Sequence, residues 1–293
     1  MSTPSFSRNR LKYSVNEKFF DKWNSQMAYV LGFSYSDGNI YKTSLAWDIQ
    51  KRDKKLLLKI KAVMNSTYPI IERPHSVRLR MSNQILINGA FNKGLIEKKS
   101  KRMSLPNIPK RFVSHFVRGF LDGDGWIVKR NNRNEVDLGF VSGNRIFLEE
   151  LSNLIYKNVG ILRKVREKDK ITPNGYKSIT YLLEYYSNNA IKVANWVYGN
   201  LSSKEIFLER KYKNYLEFVK LYKYLNSGKN EIIRKLQKVL GKSMKDILQE
   251  LYVDKHMNAV QIADILEVHS SSIYRWLSNN GIKYPVHRKY LYE

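Results

Sequence analysis

Cysteine is absent from this chain. Disulfides, thiolate zinc sites and a cysteine nucleophile are excluded with it. Histidine is scarce: His75, His115, His256, His269 and His287 are scattered and form no ligand-spaced pair. Metal chemistry, if there is any, must then rest on carboxylates. No apolar run approaches the roughly 20 residues of a membrane-spanning helix, so no spanning helix is expected. The opening stretch MSTPSFSRNRLKYS lacks the apolar segment of a secretion signal, which makes an intracellular protein the expectation. Acids are also few, 26 against 52 lysines and arginines in 293 residues, a net charge of +26. That excess implies a polyanionic partner, nucleic acid first and an anionic membrane surface second.

Two stretches organise what is present. Residues 116–129, FVRGFLDGDGWIVK, and residues 29–42, YVLGFSYSDGNIYK, share Gly32/Gly119, Phe33/Phe120, Asp37/Asp124, Gly38/Gly125, Ile40/Ile127 and Lys42/Lys129. Each reads as the last turns of an apolar helix, a stop at Asp-Gly and the start of a strand. Gly38 and Gly125 sit where a helix takes a left-handed terminating residue. Asp37 and Asp124 then fall on helix C-termini, which already carry about half a negative charge. Gly32 and Gly119 would let two such helices approach closely. The pairing is costly unless a cation lies between the carboxylates, and a hard divalent metal with oxygen ligands, Mg²⁺ or Mn²⁺, answers it.

Along the chain, residues 1–17 read as a polar arm. The pattern predicts a helix over 18–37, strand over 39–50, an amphipathic helix over 53–65, and a strand in which Val77, Leu79 and Met81 alternate with Arg78, Arg80 and Ser82. Arg78 and Arg80 make the open face of that strand basic. A short strand and a helix fit 83–97, and Pro106 and Pro109 mark a connector. The order then repeats: helix 111–124, strands 126–130 and 135–142, helix 144–158, strands 161–168 and 176–186, helices 188–199 and 204–223. Lys164, Arg166 and Lys168 would face outward in this half. This is a duplicated α+β domain, two αββαββα units at 18–105 and 106–225. NSGKN at 226–230 reads as a linker to an all-α domain ending at residue 293. There, 259–280 gives two short helices broken at Glu267-Val268-His269, the second capped by Ser270, and resembles a helix-turn-helix. Its second helix would offer Ser271, Ser272, Tyr274 and Arg275 to a major groove. Glu267 stands where that turn usually has Gly.

The strings VLGFSYSDG (30–38) and VRGFLDGDG (117–125), with the repeated order of elements over about 18–220, resemble the LAGLIDADG homing endonucleases in their single-chain, two-motif form. The resemblance implies a pseudo-twofold protein with the two motif helices at its centre and saddle-shaped sheets lying on double-stranded DNA. It implies that Asp37 and Asp124 bind metal and are catalytic. Tyr35 replaces the earlier acid of the family string, whereas Asp122 keeps it in the second motif. IEKKSKRMSLP (96–106) resembles the family's Lys-Ser segment and points to Lys99, with Lys98 beside it, as the catalytic basic residue near one scissile phosphate, where it would assist charge stabilisation; Lys211 is the corresponding residue of the second unit. Gln50, Lys51 and Ser142, at strand ends, would position water or phosphate. The implied activity is a metal-dependent staggered double-strand cut in a long DNA site, made by a monomer whose duplication supplies the twofold partner.

Three other readings compete. A cleavage-inactive transcriptional regulator of the same fold would have no reason to keep both acids. An intron maturase would bind intron RNA and needs no DNA cutting. A nuclease using Glu97-Lys98-Lys99 would need that triplet on a strand, and it falls in a helix or loop. An intein is disfavoured by the absence of Cys or Ser at residue 1 and of a His-Asn end.

Overall fold

The computed structural model describes residues 12–97, 102–130, 135–171, 175, 177–199, 201–202, 204–220, 241–266 and 268–282. The chain divides into two compact units, 1–221 and 222–293. Lys98, Lys99, Glu267 and the 226–230 linker lie outside the described residues.

The first unit is built around α1 (Ser25–Ser36) and α4 (Val113–Asp124). α1 starts at Asn24, whose side chain accepts the Met27 N–H, and every residue from Met27 to Tyr35 is buried. A helix apolar on all sides has no solvent face and must sit at the centre. It is shorter than the 18–37 expected, because Asn24 caps it and Phe19-Phe20 turn into the core ahead of it.

After α1 the chain makes β1 (Gly38–Tyr41) and β2 (Ser44–Gln50), joined by a turn in which Lys42 has φ 52. The single strand expected over 39–50 is therefore a hairpin. Next come α2 (Lys54–Val63), β3 (Ile70–Glu72), β4 (Ser76–Ser82) and α3 (Gln84–Asn92). No further strand lies between β4 and α3 as the 83–97 expectation had it, since Asn83 follows β4 directly and caps α3 by accepting the Leu86 N–H. The order then repeats after α4: β5 (Gly125–Arg130), β6 (Glu135–Ser142), α5 (Arg145–Val159), β7 (Arg166–Ile171), β8 (Lys177–Tyr186), α6 (Ser187–Tyr198) and α7 (209–220). β7 begins later than the 161–168 expected, so Lys164 precedes the strand. Residues 14–16 bond back onto the first half through Thr67 N–H to Ser14 O and Asn16 N–H to Met64 O, both 2.9 Å.

Both sheets are antiparallel and share one topology, β1-β2-β4-β3 and β5-β6-β8-β7. Their registers also correspond, with Gly38 opposite Trp47 and Gly125 opposite Phe140. Alternation places Leu45, Trp47, Ile49, Val77, Leu79 and Met81 on the inner face of one sheet. Ile127, Val136, Leu138, Phe140, Leu183 and Tyr185 line the inner face of the other. The fold is thus α+β and duplicated, as the repeated pattern predicts.

α1 and α4 touch backbone to backbone. A Cβ at Gly32 would fall 2.0 Å from the Phe116 carbonyl oxygen, and one at Gly119 would fall 2.1 Å from that of Tyr29. Gly32 and Gly119 are offset by 87 positions, and so are Tyr29 and Phe116, so the two contacts are equivalents under a pseudo-twofold. Gly38 and Gly125, by contrast, are not left-handed. The positive-φ glycines among the described residues are Gly94, Gly160, Gly175, Gly241 and Gly281. Gly38 and Gly125 serve close packing instead: Cβ atoms there would lie 2.5 Å from Ser34 O and 2.4 Å from Leu121 Cδ1.

The second unit contains α8 (Met244–Leu248), a π turn (Gln249–Asp254), α9 (Ala259–Ile265) and α10 (Ser270–Asn279). Capping boxes at Ser243 and Asn258 start α8 and α9. The cap of α10 is His269, whose side chain accepts the Ser271 N–H, one residue earlier than the expected Ser270. Leu248, Ile262, Ala263, Leu266, Ile273 and Leu277 form this unit's own core.

Gly119→Ala should lower stability by about 1–3 kcal/mol, the usual cost of forcing one methyl into a packed contact. Urea unfolding of wild type and variant checks this.

Candidate active site at the paired helix ends

The pairing of α1 and α4 carries their C-termini to the same place. Asp37 caps α1, its N–H bonded to Phe33 O at 3.0 Å. Asp124 is the last residue of α4 and lies directly before β5. Both are half-buried. A Cβ built on Gly123 would sit 3.2 Å from Asp37 Oδ2, so the second motif's backbone lies against the first motif's acid.

Lys211, on α7, reaches this point from behind. Its Nζ donates to the carbonyls of Leu121 (2.6 Å), Asp122 (2.7 Å), Gly123 (3.3 Å) and Gly125 (2.6 Å). These are the orphan acceptors at the end of α4, so the ammonium is a cap. Burial pulls its pKa down to about 8, opposed by the carboxylate of Asp122 and, more weakly, by those of Asp37 and Asp124. Three acids therefore surround one buried cation.

Asp122 is the innermost of the three. Its carboxylate accepts from Tyr29 OH (2.6 Å), Tyr198 OH (2.5 Å) and the Leu208 N–H (2.8 Å). Burial pushes its pKa up, and the Lys211 charge and the tyrosine hydrogen bonds resist that. Tyr29 belongs to α1, so this carboxylate ties the two halves together. Further along α4, buried Arg118 donates to Glu205 (2.5 Å), Ile206 O (3.0 Å) and Val197 O (3.1 Å). Burial disfavours the Glu205 carboxylate, but His115 and Arg118 outweigh it and hold its pKa at about 2.

Asp37 also opens outward into two cavities of about 210 and 220 Å³. Asn39, Ser44, Asp48, Arg78 and Arg80 line the first. Asp48, Gln50, Asp53 and Arg210 line the second. Gln50 thus comes to the site. Lys51 starts the 3-10 turn after β2 and pairs with Glu72 at 3.1 Å. Arg78 bonds Asp48 through Nη2 at 2.7 Å and Nε at 3.0 Å, and Arg73 joins at 3.0 Å. Burial opposes the Asp48 charge, but hydrogen bonds from Ser76 and Arg78 leave its pKa lowered. Arg80 lies exposed on the same face.

In the other half, Ser142 ends β6 and its Oγ accepts the Asn144 N–H at 3.1 Å. Arg166 pairs with Glu184 through two nitrogens, while Lys164 and Lys168 are exposed. Ser271, Ser272, Tyr274 and Arg275 lie on α10 of the second unit. Lys99 lies outside the described residues. Sequence reasoning missed Asp48, the tyrosines on Asp122, and Asp53, which accepts from Arg210 Nε at 3.0 Å. Nothing local marks them, because each partner is remote in the chain.

Among the described residues no three His, Cys, Asp or Glu side chains gather as a metal-holding group. What Asp37 and Asp124 offer is an all-oxygen pair at two helix C-termini, a donor set that fits a hard divalent cation. Among the described residues no helix is long and apolar enough to cross a membrane.

Paired helices, acid-tipped and packed through glycine between two like sheets, define the class. Residues 111–196 match the family model of the LAGLIDADG-like domain, and over α4 to α6 this chain carries such a domain. The chain is also 28% identical over 233 residues to a probable translation initiation factor IF-2 of Methanocaldococcus jannaschii, and 27% identical over 162 residues to that of Thermococcus kodakarensis. These matches take in 75% and 52% of this chain but 17% and 13% of those proteins, so the chain spans a small part of each relative's length. Among solved structures it is similar to the LAGLIDADG meganuclease I-AabMI bound to uncleaved DNA, at 15% identity and TM-score 0.47, covering 70% of this chain and 92% of that one. The meganuclease I-CpaMI, also bound to uncleaved DNA, gives 12% identity and TM-score 0.44, covering 75% and 98%.

Lys211→Met should destabilise the chain by about 3–5 kcal/mol, because it strips the α4 cap and leaves the Asp122 carboxylate without its cation. Denaturant unfolding measures this. Glu205 has a depressed folded pKa, so its contribution is complete above its ordinary value of 4.5 and is lost as pH falls toward about 2. The stability difference between wild type and Glu205→Gln should therefore shrink over that window and stay flat above it.

Proposed function

We propose that this chain is a site-specific DNA endonuclease that makes a divalent-metal-dependent, staggered double-strand cut. One observation carries the reading. Two equivalent carboxylates, Asp37 and Asp124, stand at the ends of helices locked together by an equivalent pair of glycine contacts. Two pseudo-twofold acids suit the attack on two antiparallel strands at one locus. The net charge of +26 suits the polyanion. One chain holds both acids, so the reading takes it as a monomer.

In this mechanism Asp37 and Asp124 hold Mg²⁺ (or Mn²⁺). The metal supplies charge neutralisation at the phosphate and a bound water of lowered pKa. Lys211 holds the end of α4, and so Asp124, in place. Its ammonium also sets the local charge that the acids feel. Gln50 and Ser142 order water or phosphate at the strand ends. Lys99 is the proposed partner of Lys211 in the first half. Arg80, Lys164 and Lys168 contact DNA directly, while Arg78 and Arg166 do so as members of ion pairs with Asp48 and Glu184. Lys51 reaches backbone phosphate beside Glu72. The domain reading is an arm (1–17), two catalytic units (18–105 and 106–225) and a helix-turn-helix module (226–293) whose Ser271, Ser272, Tyr274 and Arg275 extend the recognised site.

The test uses a duplex selected from a random library by the full chain. With Mg²⁺, wild type should give a staggered double-strand break, and EDTA should abolish it. Asp37→Asn and Asp124→Asn should each slow cutting by roughly 100-fold or more, the scale of losing one positioned catalytic group, with binding retained. Cutting at the wild-type rate by either variant would refute the centre. Tight binding with no cutting by wild type would identify a regulator instead. Deleting 226–293 should shorten the footprint and leave the cut position unchanged.

A further inference from the structure

The two sheets share topology and register, yet their open faces differ in chemistry. On the first sheet the rows across that face are Asn39–Ala46–Arg80, Tyr41–Ser44–Ser82, Asp48–Arg78 and Gln50–Ser76. Apart from Ala46, and Ile71 on the outer strand, these are hydrogen-bonding side chains. On the second sheet the corresponding rows are Trp126–Gly139–Glu184, Val128–Asp137–Tyr186, Val141–Leu182–Arg166 and Thr180–Lys168.

Four apolar side chains therefore stand on a face turned away from the core. Val128 is 41% exposed, and Trp126, Val141 and Leu182 are half-buried. The Trp126 ring lies across Gly139, where an added Cβ would come 2.2 Å from it. Of the cations in these rows, Arg166 is held by Glu184 and Lys168 is exposed.

Two observations say what covers this face. It starts at Gly125, the residue after Asp124, and so it continues from the proposed catalytic centre. Exposed Lys168 stands on its outer strand, β7, and exposed Lys164 lies two residues before that strand. An apolar strip rimmed by lysines and beginning at a phosphate-cutting centre matches a DNA groove edge. The phosphates face the lysines, and what remains for the strip is the apolar group of the major groove, the thymine C5-methyl.

We propose that the two halves of the target are read by different chemistry. The first sheet uses hydrogen bonds, and the second uses apolar contact of Val128, Val141 and Leu182 with thymine methyls. This rests on the DNA endonuclease reading and adds the base class of one half-site.

The experiment uses the full chain and its selected duplex in EDTA. Every thymine of one half-site, then of the other, is replaced by deoxyuridine, which removes only the methyl. Affinity should fall by about fourfold per contacted methyl in one half, the worth of a buried carbon group, and by no more than about twofold in the other. In the Val128→Ser/Leu182→Ser double variant, with folding checked by its melting temperature, the uracil penalty of that half should shrink to what Val141 alone sustains. A penalty equal in both halves, absent from both, or unchanged in the double variant would overturn the inference while leaving the endonuclease reading intact. A chain that bound no duplex would overturn both, and capture of an apolar protein segment by this face would replace DNA as its occupant.

Discussion

The contact between α1 and α4 governs this molecule. Two helices can bring main chains within reach of each other only where no side chain intervenes, and Gly32 and Gly119 remove the obstacles at two equivalent places. That contact sets the separation of the helix axes. It thereby sets where their C-termini end, and so where Asp37 and Asp124 stand. It also sets how the two sheets lie, since each sheet begins one residue beyond its acid. Bringing two helix C-termini together concentrates negative potential at one spot.

The fold meets that potential from one side with Lys211. A buried ammonium on four carbonyls satisfies acceptors that would otherwise be unpaired, and its charge opposes the buried carboxylate of Asp122. Asp122 in turn binds a tyrosine from each side and the Leu208 N–H. With Arg118 and Glu205, these groups form a polar seam between α4 and the chain from α6 to α7. Removal of one member would leave another buried and unmatched, which makes the seam a determinant of geometry more than of net stability. The opposite side of the helix ends stays open to the two cavities at Asp37. The site therefore has a filled, rigid back and an accessible front.

Much of this was legible in the chain itself. The repeated Gly-Phe and Asp-Gly pattern located both helices, both acids and the duplication. Alternation in Val77–Arg78–Leu79–Arg80–Met81 assigned β4 and its open face. The failures were of two kinds. Boundaries moved where a cap or turn intervened, as at Asn24, Lys42 and Asn83. The roles of Gly38 and Gly125 were misread, because a glycine required for space and one required for positive φ look alike in a sequence.

The amino-acid sequence by itself determined the elements, their order, the duplication and the pair of acids, because periodicity and helix termini are local properties. It also determined the charge that points to a polyanion. Tertiary structure alone decided which charges are available. Asp48 takes Arg78, Glu184 takes Arg166, and α4 takes Lys211, all through partners at least 18 residues away. It alone also placed Trp126, Val128, Val141 and Leu182 on the open face of the second sheet, where the first sheet carries mostly hydrogen-bonding side chains. The physical reason is that pairing and burial are set by register and helix packing, which join residues with no local trace of each other.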